Sequence, residues 1–362
     1  MIEEKQSLMP ALKVGLIGCG PIARLVHLNI LTHLSNVELV ALAEADPQRR
    51  EEAHRRSAPG VLAFTDYQEL LAVPEVEAVV ICLPNSLHAE AVVSALQRGK
   101  HIYLEKPLAM SLNEARSVLA AWQHAAVVGM IGFNYRFNAL YKAAREHIRS
   151  GKLGDLVGVR SVFSTRVRPL PAWKQSRQSG GGVLLDLASH HIDLVHFLFG
   201  EKVCEVFAEL RSQRSEGDSA ALQLRLSNGL LVQSFFSMSV VDDDRFEVYG
   251  QAGKLTVDRH LSLDVEITDP TRDFSRLKLL KRGLKILAHN SYLREKVLAP
   301  INEPSYRVAL SHFVAAALAK RPASPDFWDG YRSLAVIEAA EESARTGRMV
   351  SLGNSVYEDS TR

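Results

Sequence analysis

What is scarce in this 362-residue chain narrows its class before any motif is read. The three cysteines, Cys19, Cys82 and Cys204, are an odd number, and two fall inside apolar, strand-like runs. That argues against a disulfide framework and for a reducing, cytoplasmic setting. Net charge is also small: 43 Lys and Arg against 41 Asp and Glu leave +2, too little to argue for nucleic acid, and no nucleic-acid-binding signature occurs. No apolar run reaches the ~20 residues needed to cross a bilayer. The first ten residues are polar and acidic where an export signal would be basic and then apolar. Internal repeats and low-complexity tracts are missing too. What is abundant is apolar residue content, 47%, enough for a large core, and the length favours two domains.

The chain is organised around Gly180–Leu194, where three glycines run into an apolar segment carrying Asp186, His190, His191 and Asp193. Gly180, Gly181 and Gly182 read as a loop permitting close approach, and Val183, Leu184, Leu187, Ile192, Leu194 and Val195 have the spacing of a buried helix. On a regular helix Asp186, His190 and Asp193 share one face, while His191 points roughly 100° away. A carboxylate beside an imidazole makes an acid/base pair. The same residues also read as a satisfied core histidine with capping acids. A metal site of Asp186, His190 and His191 is disfavoured because His191 faces elsewhere, so no metal is expected.

The first third carries a second signal. Lys13–Ile17 is β-prone and runs into Gly18-Cys19-Gly20-Pro21-Ile22-Ala23, followed by an apolar-periodic segment to Leu34. Strand, glycine turn and helix in this order suit a dinucleotide pyrophosphate, which the helix amino terminus attracts. A second strand, Val37–Ala43, ends in Glu44, near the ~20-residue spacing expected of an acid that binds the adenosine ribose diol. Glu44 favours NAD over NADP, although Arg49 and Arg50 could receive a 2′-phosphate. Strands and helices then alternate through Ala78–Cys82, Leu87–Arg98 and His101–Leu104, which implies a doubly wound parallel sheet. Ligands collect beyond the carboxyl ends of such strands, where Leu83-Pro84-Asn85 and Glu105-Lys106-Pro107 fall.

GLIGCGPIA, ICLPNSLHAE, HIYLEKPLA, GFNYRFN and GGGVLLDLASHHIDL, in that order, resemble the Gfo/Idh/MocA family of nicotinamide-dependent oxidoreductases. The likeness runs from Val14 to about Leu352. It implies an α/β chain with an amino-terminal Rossmann domain (1–133) and a carboxy-terminal α/β domain (134–362) with a large open, mostly antiparallel sheet. By position it implies a catalytic Lys106, with Asp186 and His190 in the family's D-x-x-x-H pattern and Asp193 as the acid that usually follows. Two departures stand out: Ala188 replaces a frequent glycine, and Trp173-Lys174 replaces a common Trp-Arg pair. Candidate cofactor contacts are Gly18, Gly20, Pro21, Ile22, Ala23, Glu44, Leu83, Pro84, Asn85, His88, Glu105, Lys106, Trp173 and Lys174.

From Leu156 onward β-rich runs at Val157–Val167, Val203–Leu210, Ala220–Leu226, Leu230–Phe236 and Phe246–Tyr249 are joined by turns such as Ser227-Asn228-Gly229, indicating antiparallel hairpins. One face must cover the catalytic helix; the resemblance implies that the other is a candidate subunit interface, for a dimer or tetramer. Arg276–His289 is basic and amphipathic, either a solvated helix packed by its leucines or a surface for membrane or anionic substrate. Ser305–Ala319 and Gly330–Arg345 read as helices closing the second domain. The activity implied is NAD-dependent oxidation of a secondary alcohol on a sugar, cyclitol or sugar derivative, with no membrane or nucleic-acid partner. Two rivals share the same residues: a glycosidase that transiently oxidises the sugar through retained NAD, and a non-enzymatic NAD-binding sensor.

Overall fold

Leu12, Val14, Leu16 and Ile17 are all buried, so Leu12–Ile17 forms a central strand, β1, covered on both faces. In the computed structural model, which describes residues 11–270 and 290–357, five further strands join it. They are β2 (Val37–Ala43), β3 (Leu62–Phe64), β4 (Ala78–Ile81), β5 (His101–Leu104) and β6 (Gly129–Ile131). The order is β3-β2-β1-β4-β5-β6 and each neighbouring pair is parallel. The order reverses between β1 and β4, and that switch opens the crevice in which such sheets bind ligands.

The crossovers are a π-helical turn at Ala23–His27 continuing as α1 (Leu28–Leu31), then α2 (Pro47–Arg55), α3 (Tyr67–Leu71), α4 (His88–Gln97) and α5 (Leu112–Gln123). Their starts are fixed locally. Asp46 accepts from the Arg49 amide ahead of α2, with Pro47 in the first turn, and Ser111 accepts from the Glu114 amide ahead of α5.

After α6 (Ala139–Arg149) and β7 (Leu156–Ser164), α7 (Ser189–Phe199) precedes β8 (Val203–Arg211), β9 (Ser219–Leu226), β10 (Leu231–Ser237), β11 (Asp243–Gly250), β12 (Gly253–Asp258) and β13 (Glu266–Thr268). With β14 (Val350–Ser351) they form an eight-stranded sheet of order β13-β12-β11-β7-β10-β9-β8-β14. Only β7 and β10 pair in parallel; the other neighbours are antiparallel, as the short turns implied. The alternation of burial along these strands puts Val159, Phe163, Val232, Phe236, Phe246 and Val248 on the face toward α7. Arg160, Phe207, Gln223, Gln233 and Phe235 line a shallow depression of about 400 Å³ on the outer face.

The chain then adds α8 (Asn290–Leu298), α9 (Ser305–Leu318) and α10 (Phe327–Thr346). The expectation that both final helices close the second half is corrected for α9. Ala309, Leu310, Phe313 and Val314 share a buried cluster with Val14, Leu16, Val26 and Tyr103, and the Phe313 ring lies 5.8 Å from that of Tyr103. A parallel sheet needs cover on both faces, and the returning chain supplies it. α10 packs against α5 and β6 as well as β8, bridging the two sheets. The basic run Arg276–His289 lies outside the described residues.

Candidate active site

The crevice begins at Gly18, whose φ of +83° and close approach to β4 both require glycine: a Cβ there would lie 2.7 Å from the Cys82 carbonyl oxygen. Gly20 has nothing within 4 Å of its would-be Cβ, so the loop mouth is open at the helix amino terminus. Glu44 follows β2 and turns back to this loop, accepting the Cys19 amide (2.7 Å) and the Asp46 amide (3.0 Å). Each oxygen keeps a further lone pair. Arg49 lies 3.8 Å from the Glu44 carboxylate, and Arg50 donates to the Glu44 and Ala45 carbonyls. The two arginines are thus already engaged with Glu44 and its neighbours.

Lys106 stands beyond β5 at the same edge. Its Nζ donates to the Asp186 carbonyl at 2.6 Å and reaches Asp186 Oδ1 at 3.4 Å, leaving one of three donors for another oxygen. Burial pulls the ammonium's pKa down, against the Asp186 carboxylate that raises it. Lys174 Nζ also meets Asp186 Oδ1, at 2.8 Å, and Arg168 Nη2 stands 3.9 Å from Oδ2. Burial alone would raise the Asp186 carboxyl, but Lys174, Lys106 and Arg168 outweigh it and hold the group well below the usual carboxylate range. Oδ2 itself is buried without a hydrogen-bond partner. The Lys174 position depends on Gly181: a Cβ there would sit 2.1 Å from the Lys174 carbonyl oxygen, so any side chain would push this loop apart.

His190 completes the cluster from the first turn of α7. Its ring stacks on Tyr135 at 4.5 Å and 19°, and its buried Nδ1 has no partner. Burial, reinforced by Lys106, pushes its pKa well below the ordinary histidine value, so the ring is neutral at pH 7 and can accept a proton. Behind it lies a closed polar network. Tyr135 Oη donates to Asp244 Oδ2 (3.0 Å), and Asp244 also takes Arg259 Nε (2.6 Å), His191 Nε2 (3.1 Å) and Tyr141 Oη (3.3 Å). Arg259 continues to Glu303 at 2.9 Å and lies 4.8 Å from the centre of the Tyr135 ring.

Two family models match this chain in succession. One, described as an oxidoreductase family with an NAD-binding Rossmann fold, covers residues 12–152, and the GFO/IDH/MocA C-terminal domain covers 141–256. The chain belongs to the Gfo/Idh/MocA oxidoreductase family. It is 28% identical to myo-inositol 2-dehydrogenase of Thermotoga maritima over 351 residues, spanning 94% of this chain and 98% of that one. It is also 28% identical to 1,5-anhydro-D-fructose reductase of Ensifer adhaerens, over 92% of this chain and 96% of that one. Levoglucosan dehydrogenase in complex with NADH and levoglucosan shares the fold, with a TM-score of 0.80 at 24% identity over 94% of this chain and 99% of that one. A member of this family is a nicotinamide-dependent oxidoreductase acting through an NAD-binding Rossmann fold.

Several family positions behave differently from the sequence expectation. The segment Leu184–Ala188 is a π-helical turn, not regular helix, and only Ser189–Phe199 is α-helical. The wider turn re-phases Asp186 against α7, and Asp193, on α7 with His190, does not join them. It instead holds Arg136 through two bonds of 2.6 and 2.9 Å, and Arg136 continues to Asp329 at 3.0 Å. His191 does face away, onto Asp244 and the Phe163 ring at 5.5 Å. His88 is buried with both ring nitrogens against carbonyls, Pro107 at 2.6 Å and Leu83 at 2.9 Å, so it ties the β4 and β5 loops together and does not face the crevice. Glu105 is spent on His27 at 2.6 Å, and Asn85 donates to the Gly180 carbonyl at 2.8 Å, clasping the crevice to the glycine loop. Lys174, expected at the cofactor, meets Asp186, with Trp173 beside it. Pro21, Ile22, Ala23, Leu83 and Pro84 border the crevice through their place on the β1 and β4 loops. Sequence reasoning passed over Arg168, Tyr135, Asp244 and Arg259. Only Tyr135 sat in a quoted motif; the others are joined to the site by folding alone. Among the described residues, no cluster of three or more metal-ligating side chains occurs and no helix is long and apolar enough to cross a membrane.

Proposed function

We propose that this oxidoreductase interconverts a secondary alcohol and a ketone on a sugar, cyclitol or sugar derivative, using NAD. The relatives named for inositol, anhydrofructose and levoglucosan support that substrate class. The observation that carries the reading is the Lys106 ammonium held on Asp186 next to the glycine-loop crevice, with the neutral His190 ring one turn further along the chain and within the influence of both. The open Gly20 mouth and the lone pairs of Glu44 suit a pyrophosphate and a ribose diol without a 2′-phosphate. When bound, the nicotinamide supplies the hydride acceptor. Lys106 donates its free N–H to the reacting oxygen and stabilises charge that develops on it. Neutral His190 takes the hydroxyl proton, with its ring held flat by Tyr135. Asp186 orients the Lys106 ammonium.

The chain up to residue 133 serves as the cofactor unit, assisted by the returning α9, and the remainder holds the substrate. The outer face of the eight-stranded sheet, where Phe235 is 41% exposed, is the surface on which two copies pair. Free, buried Cys19 and Cys82 suit a reducing cytoplasm. The test is stoichiometry: incubation with NAD and a panel of polyols should accumulate one ketone per NADH. Sugar cleavage without net NADH would instead indicate the glycosidase reaction, and NADH binding without turnover on any polyol would indicate a sensor.

A further inference from the structure

Three cations crowd one carboxylate in the catalytic cluster. Lys106 and Lys174 reach Asp186 Oδ1 at 3.4 and 2.8 Å, and Arg168 stands 3.9 Å from Oδ2, outside hydrogen-bonding distance. The next carboxylate, Glu105, is turned to His27. Even counting it, cations outnumber carboxylates three to two. The neighbouring arginines of the Arg168–Lys174 loop are matched instead: Arg166 lies 3.7 Å from Asp242, and Arg177 pairs with Glu341.

One cation is enough to stabilise an alkoxide, so Lys174 and Arg168 exceed what the oxidation itself requires. Proton transfer to His190 would add another positive charge to a buried place that already disfavours it. Resting on the dehydrogenase reading, we propose that the substrate is an anionic sugar derivative, a sugar acid or sugar phosphate, whose charged group binds Lys174 and Arg168 beside the reacting hydroxyl. Arg168 is suited to the part: its side chain is 54% exposed at the rim, on a loop stiffened by Pro169 and Pro171. Lys174 is anchored deeper by the Gly181 turn. An anion held there offsets the surplus charge and eases protonation of His190.

The experiment uses the NADH complex and matched ligands: D-glucose, D-glucuronate and D-glucose 6-phosphate, then myo-inositol and its monophosphate. Binding is read from the fluorescence of bound NADH, and turnover from NAD reduction. In at least one set the anionic member binds roughly tenfold or more tightly than its neutral parent, the scale of a charge-assisted contact. The preferred anion distinguishes carboxylate from phosphate. The advantage falls with added salt, collapses in Arg168→Gln and largely returns in Arg168→Lys. Neutral parents that bind or turn over as well as every anionic partner overturn the inference while leaving the dehydrogenase reading intact. An anionic advantage that survives in both Arg168→Gln and Lys174→Gln overturns it too. If no polyol, charged or neutral, reduces NAD, the dehydrogenase reading itself fails.

Discussion

Replacing Asp244 by asparagine keeps the side-chain shape and removes the charge at the centre of the network behind His190. Asp244 is fully buried and accepts from Arg259, Tyr135, His191 and Tyr141. Removing one partner of a buried ion pair costs ~3–5 kcal/mol. Arg259 keeps Glu303 at 2.9 Å, so the lower end applies, about 3 kcal/mol. At ~2.1 cal/mol/K per residue, 362 residues carry ~0.76 kcal/mol/K of unfolding entropy, and the Tm falls by about 4 °C. The effect has a pH signature. Burial raises the Asp244 pKa, but Arg259 and His191 outweigh it and hold the carboxyl well below its ordinary value. Stability from such a depressed acid is present above the unfolded pKa of ~3.9 and is lost as pH falls below it. The gap between native and Asp244→Asn proteins in thermal unfolding should therefore be full at pH 7 and shrink from about pH 5 downward. Because Tyr135 bonds Asp244 and stacks on His190, the variant should also lose turnover at temperatures where it is fully folded. Equal Tm values at pH 7, or a gap that does not narrow in acid, would refute the reasoning.

Calorimetry should show NADH binding more tightly than NADPH, with Glu44→Ala narrowing that gap roughly tenfold, the scale of hydrogen bonds to a charged group; native preference for NADPH would reverse the assignment. The acid limb of kcat/KM for alcohol oxidation should lie below the ordinary histidine pKa of ~6.5, because burial and Lys106 depress His190; a limb above that value would mean a different base. His88→Leu should lower kcat more than it weakens NADH binding, since His88 holds the Pro107 carbonyl next to Lys106; the opposite pattern would return His88 to the cofactor. Phe235→Glu on the outer sheet face should halve the mass seen by light scattering, and an unchanged mass would remove that face as the interface.

The doubly wound sheet was legible because its signals are local: a short apolar strand, glycines at the turn and an acid at the next strand end. The antiparallel half was legible from period-two runs and short turns, although the parallel pairing of β7 with β10 was not, since register across distant strands leaves no mark in either strand. Lys106, Asp186 and His190 could be proposed from motif and resemblance, whereas Asp193 was misplaced because helical spacing does not show that folding brings Arg136 to it. Arg168, Asp244 and Arg259 were hidden for a simpler reason. Charged residues in loops and at strand ends read as solvated until folding shows what they face. The return of α9 to the first sheet was hidden likewise, because an apolar helix carries no label for the sheet it covers.

The central claim is that Lys106 and His190 perform the chemistry. Its most direct measurement is the initial rate of NAD reduction with the preferred polyol, alongside NADH affinity, for the native protein and for Lys106→Met, His190→Asn and His191→Asn. Lys106→Met and His190→Asn should each lose roughly 10²-fold or more in kcat while binding NADH as the native protein does, and His191→Asn should be milder. Native turnover in either of the first two variants, or a larger loss in His191→Asn, would contradict the account.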